Sequence, residues 1–148
     1  MRNVVLLLCA FLLCTTFAAA SVPNVGNPSF DPISSNNMAL RYGFNGAAVY
    51  ADGRWYFHRM TTITRSRVRG HVNQINDNFA LAVGLHEFAI FDFSKKQWVV
   101  YRGNNVSADD STAQLRTNMV LTPSYARVKI LNGPFVQYTT QKGWHRVN

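Results

Sequence analysis

Hydrophobic residues along this chain come in short runs that end at turn-forming residues. Residues 88–93 are apolar or aromatic at all positions but one, residues 94–96 are polar, and a second strand-like run begins at Gln97. Because β-branched and aromatic residues favour strands, a short polar break between two such runs indicates a β-hairpin. Asp52-Gly53, which separates two earlier runs, is a dipeptide preferred in two-residue hairpin turns. The pattern therefore predicts an all-β protein built from hairpins.

The hairpin pattern occurs three times, and each copy begins with a large apolar residue followed by Ala and ends on Trp after a short polar turn. The three tryptophans of the chain are Trp55, Trp98 and Trp144. They are 43 and 46 residues apart, a period typical of repeated β-units. The predicted repeat cores are residues 38–59, 79–102 and 125–146. Because one hairpin cannot bury its apolar face in water, we expect the tryptophans to fill the space between neighbouring hairpins.

The first 20 residues have the pattern of a secretory signal peptide. Arg2 supplies the positive charge, residues 4–17 form an apolar run too short for a membrane anchor, and residues 18–20 are all alanine. Both cysteines lie in this segment, so a disulfide is not expected in the remaining chain. The sequence predicts a secreted, extracellular protein whose single domain spans residues 21–148 and is held by its hydrophobic core.

Charge indicates the class of partner. The chain has 15 basic and 7 acidic residues, a formal net charge of +8, and only four of the basic residues are lysines. Arginine suits bidentate binding of sulfate, phosphate and carboxylate groups. The expected partner is an extracellular polyanion, such as a sulfated glycan or an acidic matrix protein, or else an anionic membrane surface. Export argues against nucleic acid.

The densest positive patch lies between the first two repeats. Its members, the predicted polyanion-binding residues, are Arg59, Arg65, Arg67, Arg69 and His71. Residues 61–69 alternate as in a strand, which would place three of the arginines on one face. A solvated strand face is one interpretation of this pattern, and an anion-binding stripe is the other. Further along, the Asn-Val-Ser sequon at Asn105 predicts a glycosylated surface loop.

Catalytic chemistry finds little support in the sequence. The histidines show no zinc-ligand spacing and no thiol follows the signal peptide, so neither a metal nor a cofactor is predicted. His86 and Glu87, with nearby arginines, suggest acid–base cleavage of RNA by a small secreted nuclease. The pair, however, takes the place that Asn45-Gly46 and Asn132-Gly133 hold in the other copies, so a turn is the simpler interpretation. The protein is predicted not to be an enzyme.

Two resemblances bear on the architecture. The spacing from Ala39, Ala80 and Ala126 to the three tryptophans, with its Asn-Gly turns and aromatic strands, resembles hemopexin-type repeats, each of which forms one propeller blade. The chain has three such units where that propeller has four, and it lacks the Asp that precedes the Ala in the family. A shorter segment around residues 91–93, Trp98 and Ala108-Asp109 is similar to actinoporins, which implies a membrane-active toxin.

Three repeats of about 40 residues also suit a β-trefoil. Gln97-Trp98 is similar to the Gln-x-Trp strand of ricin-type lectins, which are trefoils. Propeller-type blades and a trefoil therefore both remain open as predictions. The expected function is that of a secreted, basic, non-enzymatic protein that binds an extracellular polyanion. The alternatives are a β-trefoil lectin and an actinoporin-like toxin.

Overall fold

The chain is all-β, as the sequence predicts. The computed structural model describes residues 21–26, 33–60, 73–84, 87–102, 118–130 and 133–148. These residues form twelve strands arranged in three four-stranded antiparallel sheets, and in each sheet the strands follow one another in chain order. In the described part of the chain, no helix is long and apolar enough to span a membrane.

Each sheet is a simple meander, with a short edge strand followed by three longer strands. The first sheet contains β1 (Ile33–Ser35), β2 (Met38–Gly43), β3 (Gly46–Ala51) and β4 (Arg54–Arg59). The second contains β5 (Gln74–Ile75), β6 (Phe79–Val83), β7 (Glu87–Asp92) and β8 (Gln97–Arg102). The third contains β9 (Met119–Leu121), β10 (Ala126–Lys129), β11 (Phe135–Thr139) and β12 (Gly143–Val147).

The predicted hairpin turns connect the last two strands of each sheet. Asp52 and Gly53 have φ values of 50° and 77°, the left-handed pair that a type I′ turn requires. Lys96 closes the polar turn of the second sheet with a φ of 54°, and Gly143 closes that of the third with a φ of 67°. The predicted basic strand at 61–69 and the signal peptide lie outside the described residues.

In each sheet one cross-strand row joins an Ala, an aromatic residue and a Trp. The rows are Ala39–Tyr50–Trp55, Ala80–Phe91–Trp98 and Ala126–Tyr138–Trp144. Residues that recur along the sequence therefore occupy the same register position in the three sheets. The predicted hairpins correspond to the last two strands of each sheet, and two further strands extend each of them.

The second sheet lies between the other two and is buried on both faces. Small residues, among them Ala82 and Ala89, face the first sheet, whereas large ones, among them Leu81 and Ile90, face the third. All five residues of β6 are buried, so the strand appears in the sequence as a continuous apolar run. The two interfaces form the two hydrophobic cores of the described chain, and the apolar burial stabilises the stack.

One tryptophan ties the second sheet to the first, and another ties the third sheet to the second. The indole Nε1 of Trp98 donates to the Tyr56 carbonyl in the first sheet at 3.0 Å. Trp144 Nε1 makes the same contact with the Val99 carbonyl in the second sheet, also at 3.0 Å. Each acceptor is the residue that follows the tryptophan of the preceding sheet. The Trp face of the second and third sheets is thus covered by the sheet before it.

Candidate functional site

The first sheet turns its Trp face away from the second sheet. Leu40, Val49 and Tyr56 pack against the second sheet, so the residues that alternate with them lie on the opposite side. We call this side the outer face. Its residues on β2, β3 and β4 are Ala39, Arg41, Gly43, Gly46, Ala48, Tyr50, Trp55, Phe57 and Arg59. It combines aromatic and basic side chains.

Phe57 is the most exposed aromatic side chain described on the outer face, with 44 % of its surface accessible. It lies beside Gly46, at which a Cβ atom would come within 3.0 Å of the phenyl Cε2 and 2.2 Å of the His58 carbonyl oxygen. Any side chain at this position would displace the ring or the strand. The missing Cβ therefore allows the Phe57 ring to lie against bare backbone.

A pocket of about 240 Å³ opens beside this ring, lined by Asn24, Asn45, Phe57 and Arg59. Backbone hydrogen bonds hold its walls, because the Asn45 N–H donates to the Val25 carbonyl at 2.8 Å. The Asn45 carbonyl in turn accepts from the Met60 N–H at 3.1 Å. The pocket thus forms where residues 24–26 lie against the turn between β2 and β3.

Gly26 makes this close approach possible. Its φ of 94° lies in the left-handed region, and a Cβ there would come within 2.8 Å of the Asn45 backbone nitrogen. The Asn24 side chain accepts a hydrogen bond from the Gly26 N–H at 2.9 Å, which fixes the bend. One wall of the pocket is therefore set by residues 24–26, which precede the first strand.

The lining chemistry suits an anionic ligand that also carries hydroxyl groups. Arg59 offers a planar set of N–H donors that match sulfate, phosphate or carboxylate, and the two asparagines offer amide donors and acceptors. Phe57 adds an apolar surface. None of the four residues that line the pocket is acidic.

Arg41 lies on the same face, in the cross-strand row Arg41–Ala48–Phe57. Its Nε atom is buried and has no hydrogen-bond partner among the described residues. A buried donor without an acceptor is costly, and buried donors in native proteins are nearly always paired. Two arginines therefore lie on the face of the exposed phenyl ring: Arg59 two residues further along β4, and Arg41 two strands away on β2.

On the inner face of the first sheet, a second polar cluster joins it to the second sheet. His58 Nε2 lies 3.3 Å from Glu87 Oε1, and Arg102 Nε lies 3.6 Å from Glu87 Oε2. The first distance is that of an ion pair, although the two groups are not aligned as a hydrogen bond. Sequence reasoning paired Glu87 with His86, which lies outside the described residues; in the fold its partner is His58, from another sheet.

Asp92, at the end of β7, forms a third polar cluster beside a pocket of about 260 Å³. The residue is 1 % exposed, and its carboxylate accepts hydrogen bonds from Tyr138 Oη at 2.9 Å, Thr140 Oγ1 at 2.8 Å and Ser94 Oγ at 2.6 Å. Burial opposes its ionisation, but these hydrogen bonds outweigh burial and hold the pKa of Asp92 below its ordinary value. Burial and the carboxylate raise the pKa of Tyr138. The cluster joins the second sheet to the third.

The structure places only some of the predicted site residues. Arg59 lines the pocket on the outer face, and Trp55 lies on the same face, whereas Trp98 and Trp144 lie between sheets. The predicted residues outside the described part of the chain are Arg65, Arg67, Arg69, His71 and Asn105. Among the described residues, no group of three His, Cys, Asp or Glu side chains could hold a metal ion.

Sequence reasoning did not single out Phe57, Asn24, Asn45 or Arg41 as site residues. The alternation of β4 does place Phe57 on the face of Arg59, and this signal was available. The approach of Asn24 to Asn45 depends on tertiary structure. Comparison of the chain with protein-family models, with curated proteins and with solved structures finds no match.

Proposed function

We propose that this is a secreted, non-enzymatic binding protein that recognises an extracellular polyanion, either a sulfated glycan or an acidic matrix component, through the outer face of its first sheet. The observation that carries the proposal is the pocket in which Arg59 stands beside an exposed aromatic ring and two amide side chains. The net charge of +8 supports it, because a strongly basic protein attracts polyanions over long range.

The three sheets, in this proposal, are copies of one unit related to hemopexin-type blades. The equal register of the Ala–aromatic–Trp rows supports this interpretation. So do the two tryptophan contacts to the preceding sheet, made at sequence separations of 42 and 45 residues. Each described strand pairs within its own four-stranded sheet, which favours stacked blades over a trefoil.

A column of immobilised dextran sulfate tests the polyanion. We expect the mature chain to bind at low salt and to elute as salt rises, because exposed charges are screened within about 8–10 Å at physiological ionic strength. Arg59→Glu should elute at clearly lower salt than wild type. Arg146→Glu, at an exposed position of β12, changes the net charge equally and serves as the matched control.

A triple variant of the predicted basic strand is tested in the same assay. Changing Arg65, Arg67 and Arg69 together to Glu should weaken binding further while leaving the melting temperature unchanged, since surface substitutions usually cost little stability. If wild type passes through the column at low salt, or if Arg59→Glu and Arg146→Glu elute together, the outer face is not the polyanion site.

The membrane-active alternative rests on an observation of its own. The large apolar side chains exposed in the described residues are Val22, Phe44 and Phe57, and all three lie in the first sheet or in residues 21–26 beside it. Exposed apolar residues next to arginines also suit an anionic lipid surface. Leakage of dye from anionic vesicles at micromolar protein would favour this alternative over a glycan partner.

A further inference from the structure

We propose that the outer face binds an acidic oligosaccharide along β4, with sugar rings lying on Trp55 and Phe57 and a sulfate or carboxylate of the sugar paired with Arg59. The inference rests on the proposed function and names the ligand class and the contacts of the same site. It distinguishes a saccharide from polyanions that have no rings.

The order of residues along β4 supports this arrangement. Trp55, Phe57 and Arg59 are alternate residues of one strand, so they share a face at intervals of roughly 6.8 Å, twice the strand rise. Two aromatic rings are thus followed by one guanidinium group over about 14 Å of strand. A linear ligand with flat apolar faces and an anionic substituent matches this sequence of contacts, whereas a single small anion would use Arg59 alone.

The aromatic surfaces are already in place. The Phe57 ring lies against the backbone at Gly46, and the Trp55 ring packs on Tyr50 with a centroid distance of 5.2 Å. A ring fixed in this way loses little conformational freedom when a ligand covers it. The C–H face of a pyranose supplies an apolar surface for such a ring, while its hydroxyl groups remain at the edge.

Polar groups lie where that edge would be. Asn24 and Asn45 line the pocket beside Phe57, so their amides can exchange hydrogen bonds with hydroxyl groups, as the few polar groups of a ligand pocket usually do. Arg59 can bind a sulfate or carboxylate in bidentate fashion. Arg41 stands in the cross-strand row of Phe57, and its guanidinium group would lie on the same face as a second anionic substituent over this row.

The decisive experiment compares two polyanions on the mature chain. One probe is a sulfated tetrasaccharide of alternating glucosamine and uronic acid, and the other is a polyphosphate chain of matched charge, which has no rings. We expect Phe57→Ala to weaken binding of the tetrasaccharide about tenfold and to leave polyphosphate binding unchanged. Phe57→Trp should retain affinity for the tetrasaccharide, because an aromatic surface remains.

Phe44→Ala is the matched control, since Phe44 is 37 % exposed but lies in the turn between β2 and β3, outside the pocket lining. It should bind both probes like wild type. Tryptophan fluorescence gives an independent measurement, because Trp98 and Trp144 are packed between sheets. The change in emission on adding the tetrasaccharide should disappear in Trp55→Phe.

The outcomes separate the inference from the proposed function. If both probes bind wild type and Phe57→Ala changes neither affinity, the saccharide inference is wrong while the polyanion proposal stands. If neither probe binds at low salt, the polyanion proposal itself fails. Binding to anionic lipid vesicles that depends on Phe57, without binding of the tetrasaccharide, would assign this face to a membrane surface and overturn the inference.

Discussion

The outer face of the first sheet and the Trp face of the second hold the same register positions but meet different surroundings. Next to the Trp row, the second sheet has Ala82–Ala89–Val100, which packs against the first sheet. The first sheet has Arg41–Ala48–Phe57 in the corresponding row. Small apolar residues allow a neighbouring sheet to approach, whereas an arginine and an exposed phenyl ring fit a ligand that is both charged and flat.

The third sheet, at the other end of the stack, has different residues on its free face, which is the face turned away from the second sheet. Where the second sheet has Leu81–Ile90–Val99 facing its neighbour, the third sheet has Arg127–Gln137–His145 on its free face. Two guanidinium nitrogens of Arg127 donate to Gln137 Oε1, at 3.1 and 2.7 Å. A polar outer surface is what a terminal unit needs for solubility. The free face of the third sheet also carries an aromatic residue, Phe135, but this ring is partly buried and lies under the Lys129 ammonium at 4.8 Å. On the outer face of the first sheet, in contrast, Phe57 is 44 % exposed.

The largest expected difference between these regions is in the role of tryptophan. Trp98→Ala should lower the free energy of unfolding by roughly 3–5 kcal/mol, because it removes a ring between two sheets and leaves the Tyr56 carbonyl without its donor. Trp55→Ala should cost only about 1 kcal/mol, because its ring lies on the outer face and packs on Tyr50 instead of between sheets. Urea unfolding of the two variants measures the comparison. Equal losses would mean that the outer face is as firmly covered as the interior.

The Asp92 cluster tests how firmly the third sheet is attached. Asp92→Asn should destabilise the protein by about 2–3 kcal/mol at pH 7, since Tyr138 and Thr140 lose their ionised acceptor. The pKa of Asp92 is depressed in the folded state, so its contribution is present above pH 3.8 and is lost as the pH falls through the folded pKa. Wild type should therefore lose stability below pH 3.8 by more than the Asn variant. Parallel pH profiles of unfolding would contradict this role.

Arg41 is expected to contribute to polyanion binding while adding nothing to the stability of the fold. Replacing its buried, unpaired Nε with an apolar side chain in Arg41→Met should leave stability unchanged or raise it by about 1 kcal/mol. The same variant should elute from dextran sulfate at lower salt than wild type. A clear loss of stability would show instead that Arg41 stabilises the sheet and has a structural role.

The smallest effect is expected on the free face of the third sheet. Arg127→Ala should change the free energy of unfolding by less than about 0.5 kcal/mol, because the Arg127–Gln137 pair is only partly buried and both groups can bind water instead. Its elution from dextran sulfate should shift less than that of Arg59→Ala, which removes the same charge. A larger shift for Arg127 would move the candidate polyanion site to the opposite end of the stack.

Local pattern was sufficient to predict the class of fold and several of its turns. The aromatic run at 88–93 and the Asp52-Gly53 turn depend on neighbouring residues, and both lie where the pattern places them. The short edge strands, such as β5 with two residues, gave no such signal. They pair because a longer strand beside them offers unpaired backbone groups, which a local pattern does not reveal.

The site could be predicted only in part. Arg59 was predicted from charge density, whereas Phe57 was not predicted, although alternation along β4 places it on the same face. The contact of Asn24 with the same pocket required residues 24–26 to fold back on a turn some 20 residues away. The His58–Glu87 pair likewise joins residues 29 positions apart from two sheets. Such approaches depend on how the sheets stack. The free energy that stabilises the stack comes from contacts spread over the entire core.

The sequence by itself determined the strands of the hairpins, their turns and which of their side chains share a face, because strand periodicity and turn chemistry act over a few residues. Tertiary structure decided which of these faces is covered. Trp55 and Trp98 follow the same local pattern, yet the Trp98 ring lies between sheets and the Trp55 ring lies on the outer face. The physical reason is that burial is a property of two surfaces brought together, and only the fold brings them together.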